Sequence, residues 1–289
     1  MSKKAKRILV VYKKSAYKIY FLERKNALKQ GRHSLLKEEK KKLYQAHKEH
    51  YSMLDFIHKT LKDENIIFKE AYRGIRRDYT PYDTIISVGG DGTFLECARN
   101  VKNQLIIGVN SAPEFSVGRL CPIMKKDFPA VIKKVKAGKH KEVLLQRLKV
   151  EISGQQINAL NDVLMCHSSP AGLSRYYLFI GNKKEEQRSS GLWISSATGS
   201  SGGIYSAGGK ILDPYSKKLQ YCPRELYAGW AHRYKLKGGV LTPKTKIAVL
   251  SMIRKGKVYI DGAHVELPFE YGTMLNVSLS ANPLRNVVA

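Results

Sequence analysis

The stretch DTIISVGGDGTFLECAR, residues 83 to 99, constrains this chain more than any other part of it. DTIISV reads as a strand and TFLECARNV as a helix, with Gly89, Gly90 and Gly92 between them. Glycine weakens strands and helices alike, so a glycine turn here serves something other than packing. Backbone amides can approach a bound polyphosphate only where no Cβ intervenes, and the N-terminus of the following helix adds positive partial charge. The pattern is neither GxGxxG nor a P-loop, since no Gly-Lys-[Ser/Thr] follows. Asp91, a lone carboxylate among the glycines, is electrostatically unwelcome beside phosphate unless it has a task. It serves a metal ion, takes a proton from an attacking hydroxyl, or caps a helix beginning near Thr93.

The flanking sequence continues the rhythm. RILVVY (7–12), IIFKEAY (66–72) and QLIIGVN (104–110) read as further strands of a parallel α/β sheet. Residues 18–62, rich in Lys, Glu, Leu and Tyr, read as one or two helices with a break at Gln30-Gly31-Arg32, and KEEKKK (37–42) as a solvated helix face. Past about residue 140 the segments become short and alternating, as in LQRLKVEISG, RYYLFIG, KTKIAVLSM and KVYIDGAHVEL, the pattern of antiparallel β structure. Asp261-Gly262 reads as a hairpin turn. The expectation is a Rossmann-like α/β domain over 1–137, then a mostly antiparallel β domain over 138–289 whose last strand can return to the first domain.

Composition bounds the function. No apolar run approaches the roughly 18 to 20 residues of a membrane helix, and the run ILVVY near the basic N-terminus falls short of the roughly 7 to 15 apolar residues of a signal peptide. Cys97, Cys121, Cys166 and Cys222 show no CxxC spacing, which argues against zinc and disulfides and fits a reducing cytoplasmic compartment. The net charge of +27 points to polyanionic partners without choosing among them.

GGDGTFL after an apolar strand resembles the motif shared by the NAD kinases and their distant relatives, the diacylglycerol and sphingosine lipid kinases and the 6-phosphofructokinases. NALNDVLMC (158–166) resembles the NAD-kinase segment whose Asn and acidic residue bind the adenosine end of the nucleotide, here Asn161 and Asp162, with Asp where Glu is usual. SSGLWISSATGSSGGIYSAGGKIL (189–212) resembles the family's third motif through Thr198, Gly199, Ser200 and the run 206–209. Two positions depart from it: Ser190 replaces the acidic residue that usually opens the motif, and Gly203 stands in place of a tyrosine, with Tyr205 two positions on. VNSAPEFSVGRL keeps Asn110 and Gly118 of a further family segment.

The resemblance implies transfer of the terminal phosphate of ATP, or of polyphosphate, to the 2′-hydroxyl of the adenosine ribose of NAD(H). It implies Asp91 as the base, Mg²⁺ or another divalent cation as cofactor, and Gly89, Gly90, Gly92 and Thr93 around the phosphates. Asn161, Asp162, Thr198, Gly199, Ser200, Ser201 and Ser206 then line the nucleoside pocket. Arg119, Arg175 and Lys210 are candidate phosphate partners, while His167 and His264 are expected to be structural. A homodimer or homotetramer is implied, with no membrane association and no nucleic-acid partner. Two alternatives remain open on sequence alone: a lipid kinase of the diacylglycerol or sphingosine type, and a basic, non-catalytic nucleic-acid binder. A third keeps the family while exchanging the substrate for another nucleoside or sugar.

Overall fold

The computed structural model describes residues 7–23 and 34–289, which divide into two compact units. The first unit ends at Val143 and regains Arg285–Ala289; the second runs from Leu144 to Leu284. The helix break expected at Gln30-Gly31-Arg32 lies outside the described residues.

In the first unit, β1 (Arg7–Tyr12), α1 (Ser34–Asp63), β2 (Ile67–Tyr72), β3 (Thr84–Gly89), α2 (Asp91–Asn100), β4 (Leu105–Asn110), α3 (Phe128–Ala137) and β5 (Lys141–Leu145) follow one another along the chain. A short π-helical segment, Lys18–Glu23, precedes α1. The sheet order is β2-β1-β3-β4-terminal strand-β5, where the terminal strand is Leu284–Val288. The pairs β1–β2, β1–β3, β3–β4 and β4–terminal strand are parallel. Every residue of β3 and β4 is buried, as expected for parallel strands covered on both faces. Ile8, Val10, Ile86, Val88, Ile107 and Val109 pack with Met53, Leu54, Ile57 and Leu61 of α1 and with Phe128, Val131, Ile132 and Val135 of α3. Each such side chain contributes about 1.5–3 kcal/mol by leaving water, so α1 is anchored through its second half. Its KEEKKK stretch is exposed throughout, the solvated face read from the sequence. On α2, Phe94, Leu95, Cys97 and Ala98 are buried, and the helix lies against β1, β3 and β4. Gly138, in the left-handed region at φ 71°, closes α3, and the chain stays in this sheet through β5.

The second unit contains β6 (Leu148–Ile152), β7 (Gln155–Ala159), β8 (Asp162–His167), β9 (Ser174–Ile180), β10 (Lys183–Ser189), β11 (Gly191–Ser196), β12 (Leu219–Arg224), β13 (Gly239–Leu241), β14 (Ile247–Ser251), β15 (Gly256–Ile260), β16 (Val265–Pro268) and β17 (Met274–Leu279). They form two sheets, ordered β10-β9-β14-β17-β6-β7 and β13-β12-β11-β8-β15-β16. The pairings within both are antiparallel. Alternate residues of both sheets, among them Val150, Leu178, Val249 and Val277 from one and Val163, Ile194, Leu219 and Val258 from the other, form one apolar cluster. The architecture is thus the expected α/β sheet together with antiparallel β structure. No helix among the described residues is long and apolar enough to cross a membrane, and all four cysteines are free thiols.

Candidate functional site

In the first unit the glycine turn stands at the carboxyl end of β3, where open α/β sheets place their ligands. Gly90 occupies the N-cap position of α2, and no side chain caps the helix. Asp91 is therefore the first helical residue and not a cap, because its carboxylate is engaged elsewhere: Oδ1 accepts the backbone N–H of Leu120 at 2.8 Å. Its other oxygen takes no hydrogen bond among the described residues, and the side chain is half-buried. The surroundings of Gly89 and Gly90 leave little space for a side chain. A Cβ on Gly89 would lie 2.6 Å from Thr93 Oγ1, and one on Gly90 would lie 2.6 Å from Ser116 Oγ. Thr93 is buried and Gly92 exposed, and Arg73 Nη1 donates to Thr93 Oγ1 at 3.4 Å.

The loop that presents Leu120 to Asp91 is tied down by the other family residues in this unit. Asn110 Nδ2 donates to the Ser116 carbonyl at 2.9 Å, and its Oδ1 accepts the N–H of Ala112 at 3.3 Å. Gly118, at φ 56°, lies so close to the Asn110 amide that a Cβ would come within 2.4 Å of it. Beside Asn110, Ser111 Oγ is hydrogen-bonded to His50 Nδ1 at 2.8 Å. Burial, with Lys13 adding to it, pulls the His50 pKa down to about 4. Arg119 is exposed.

In the second unit, Asn161 and Asp162 meet the third motif. Ser196 N–H donates to the Asn161 carbonyl at 2.9 Å, and a Cβ on Gly199 would lie 2.2 Å from that same oxygen. Gly202 leaves ordinary contact distance to Asp162 Oδ2, 3.5 Å from its would-be Cβ. Asn161 Oδ1 is buried without a hydrogen-bond partner among the described residues, an acceptor available to a ligand. The residue sequence reading missed is Asp261. Its carboxylate accepts the backbone N–H groups of Leu160 at 3.0 Å, Asn161 at 2.7 Å and Asp162 at 3.3 Å, and its own N–H donates to the Asp162 carbonyl at 2.9 Å. Asp261 is 4% exposed and holds φ at 50°, a left-handed conformation Asp tolerates better than most residues. That conformation is the one signal an Asp-Gly turn offered. Burial, and then the Asp261 carboxylate, push the pKa of Asp162 up to about 7.

The remaining predicted residues are placed as follows. Thr198 Oγ1 donates to the Pro214 carbonyl at 3.2 Å, and Ser200 Oγ accepts the N–H of Leu212 at 2.9 Å, so these hydroxyls tie the 212–214 segment to the motif. Ser201 is half-buried, and Ser206 is exposed at the end of a short helix, Gly203–Ser206. Gly203 is explained by its neighbour: a Cβ there would sit 2.8 Å from Trp193 Cζ2, so the indole fills space a larger residue at 203 would need. Tyr205 is 53% exposed. Ser190 is half-buried and gives its N–H to the Arg224 carbonyl at 2.9 Å. Arg175 Nε is paired with Glu186 at 2.7 Å, and Lys210 is exposed. His167 Nδ1 accepts the N–H of Ser169 at 3.0 Å, and His264 is exposed in the β15–β16 turn.

No protein-family model matches the chain. A probable NADH kinase of Oryza sativa subsp. japonica is 32% identical over 230 residues, covering 71% of this chain and 70% of that protein. An NAD kinase of Methanospirillum hungatei is 31% identical over 206 residues, covering 70% and 73%. Among solved structures, an NAD kinase from Archaeoglobus fulgidus in complex with ATP aligns over 98% of this chain and 93% of its own with a TM-score of 0.68. Yeast NADH kinase complexed with NADH aligns over 99% and 84% with a TM-score of 0.70. At 22% and 16% identity these two establish the shared fold. The sequence relatives carry the assignment further, and on them the chain belongs to the NAD kinase family of phosphotransferases.

Proposed function

We propose that this protein transfers the terminal phosphoryl group of ATP, or of inorganic polyphosphate, to the 2′-hydroxyl of the adenosine ribose of NAD(H), giving NADP(H). The observation that carries the reading is Asp91. It stands on a glycine turn at a strand's carboxyl end, fixed by one oxygen to Leu120 N–H and with the other oxygen unengaged among the described residues. A ribose hydroxyl is a poor nucleophile near neutral pH, and a positioned carboxylate that takes its proton typically accelerates attack about 100- to 10,000-fold. Gly89, Gly90, Gly92 and Thr93 receive the phosphates through backbone amides and the helix N-terminus. Asn161, with its buried unpartnered Oδ1, and Asp162 bind the adenosine end, lined by Thr198, Gly199, Ser200, Ser201 and Ser206. The solved relatives bind ATP and NADH, which supports these substrate classes.

Among the described residues no three metal-ligating side chains cluster. Mg²⁺ nevertheless fits the donor set, because it is commonly held by one or two carboxylates together with substrate phosphates and water. With the unengaged oxygen of Asp91 kept for the proton, substrate phosphates and water would supply most of the ion's ligands, and the bound ion would neutralise charge on the transferring phosphate. We place the protein in the cytoplasm, consistent with four free thiols, and as a homodimer or homotetramer by family resemblance. The relatives support neither a lipid kinase nor a nucleic-acid binder.

The test is an assay of the purified protein with NAD and NADH against ATP, GTP and polyphosphate in Mg²⁺, reading NADP(H). Formation of NADP(H), with Asp91→Asn slower by about 100- to 10,000-fold and folded as wild type, is the expected outcome. No product with any donor, and an Asp91→Asn variant indistinguishable from wild type, overturns the reading.

A further inference from the structure

Two cations that sequence reading passed over stand beside the glycine turn. β1 runs directly into Lys13 and β2 into Arg73, and the N–H of Arg73 donates to the Tyr12 carbonyl at 2.9 Å, so the two residues leave adjacent parallel strands at the same end of the sheet. Arg73 Nη1 lies 3.4 Å from Thr93 Oγ1, and a Cβ on Gly92 would come within 3.3 Å of the same nitrogen. The guanidinium therefore rests on the motif itself. Neither Lys13 nor Arg73 makes an ion pair among the described residues, whereas the next lysine along, Lys14, is paired with Glu23 at 2.9 Å. Both side chains are half-buried. Burial, and then the Arg73 charge, lower the pKa of Lys13.

Two like charges, partly removed from water and lacking a counter-ion, are unfavourable on their own and become favourable once an anion joins them. Asp91 is the carboxylate of the turn, and one of its oxygens is already taken by Leu120. A guanidinium offers a planar fork that matches two phosphate oxygens, while an ammonium acts as a point charge. We infer that Arg73, aimed by its contact with Thr93 and Gly92, grips the polyphosphate chain of the phosphate donor through its fork, with Lys13 adding a second charge from β1. This rests on the phosphoryl-transfer reading above and assigns the phosphate-gripping role to residues outside the glycine motif.

The experiment measures binding as well as turnover, on the full chain. Mg·ATP, inorganic tripolyphosphate and adenosine are titrated calorimetrically into wild type, Arg73→Ala, Arg73→Lys and Lys13→Gln, and NADP(H) formation is followed in parallel. Arg73→Ala is expected to weaken tripolyphosphate and ATP about 10- to 100-fold, the loss of a charge-assisted hydrogen-bond pair, while adenosine binding and the melting temperature stay as in wild type. Arg73→Lys is expected to recover part of that loss, and Lys13→Gln to show a smaller one. Tripolyphosphate binding that is absent in wild type, or unchanged in Arg73→Ala, overturns the inference. Arg73-dependent tripolyphosphate binding without NADP(H) from any donor supports the grip and overturns the proposed reaction instead, so the two failures are told apart.

Discussion

Asp162 makes the stability of the second unit depend on pH in a direction opposite to that of most carboxylates. Its pKa stands at about 7 in the fold against an ordinary value of 3.8, because burial and the neighbouring Asp261 both disfavour the anion. With the folded value above the unfolded one, the folded state binds more protons between the two, so stability is fully present below about pH 4 and is lost as pH rises through 7. Each step of one in pKa corresponds to about 1.36 kcal/mol, so the whole contribution is about 4 kcal/mol. Asp162→Asn keeps the shape and cannot ionise. Urea unfolding of wild type and variant, scanned from about pH 4 to 8.5, should show wild type losing about 4 kcal/mol relative to the variant, with half of the loss reached at about pH 5.4, midway between the two pKa values, and a plateau above about pH 7. His50, held at about 4, works the other way: it costs stability as pH falls below its unfolded value of 6.5. That contribution is common to both proteins and cancels in the difference. Asp261→Asn, which removes the neighbouring charge, should move the midpoint to lower pH. A difference that stays constant across the scan, or one in which wild type gains on the variant as pH rises, refutes the argument.

Two further predictions concern the architecture of the nucleoside motif. Gly203→Ala should destabilise the protein by about 1–3 kcal/mol, the range for overpacking, because its Cβ would meet Trp193 at 2.8 Å; a variant melting like wild type would show that the indole yields without cost. Asp261→Ala leaves the N–H groups of Leu160, Asn161 and Asp162 without their acceptor, so a loss of about 3 kcal/mol or more is expected in denaturant unfolding, with KM for NAD raised more than kcat is lowered. An unchanged KM would mean that the 160–162 turn keeps its shape unaided.

What was legible in the sequence follows from how local each determinant is. β1, β3 and β4 could be read because parallel strands buried on both faces are continuous apolar runs, and the turn after β3 because glycines crowd where Thr93 and Ser116 leave no room for a Cβ. The 18–62 stretch was legible as helical but not in its parts, since an intermittent apolar face fixes α1 through Met53 to Leu61 and says little about the polar residues before it. Asp261 was opaque for a different reason. It acts on backbone groups about 100 positions earlier in the chain, and an Asp-Gly turn looks the same whether its carboxylate faces water or three buried N–H groups. Arg73 and Lys13 were opaque because only the parallel pairing of β1 with β2 makes them neighbours. Gly203 shows how a motif departure should be read. Taken alone it suggested a lost ring contact, yet the space a side chain would need there is filled by Trp193 from β11, ten positions upstream. A missing motif residue therefore counts as a lost interaction only after the residues packed against its position have been identified.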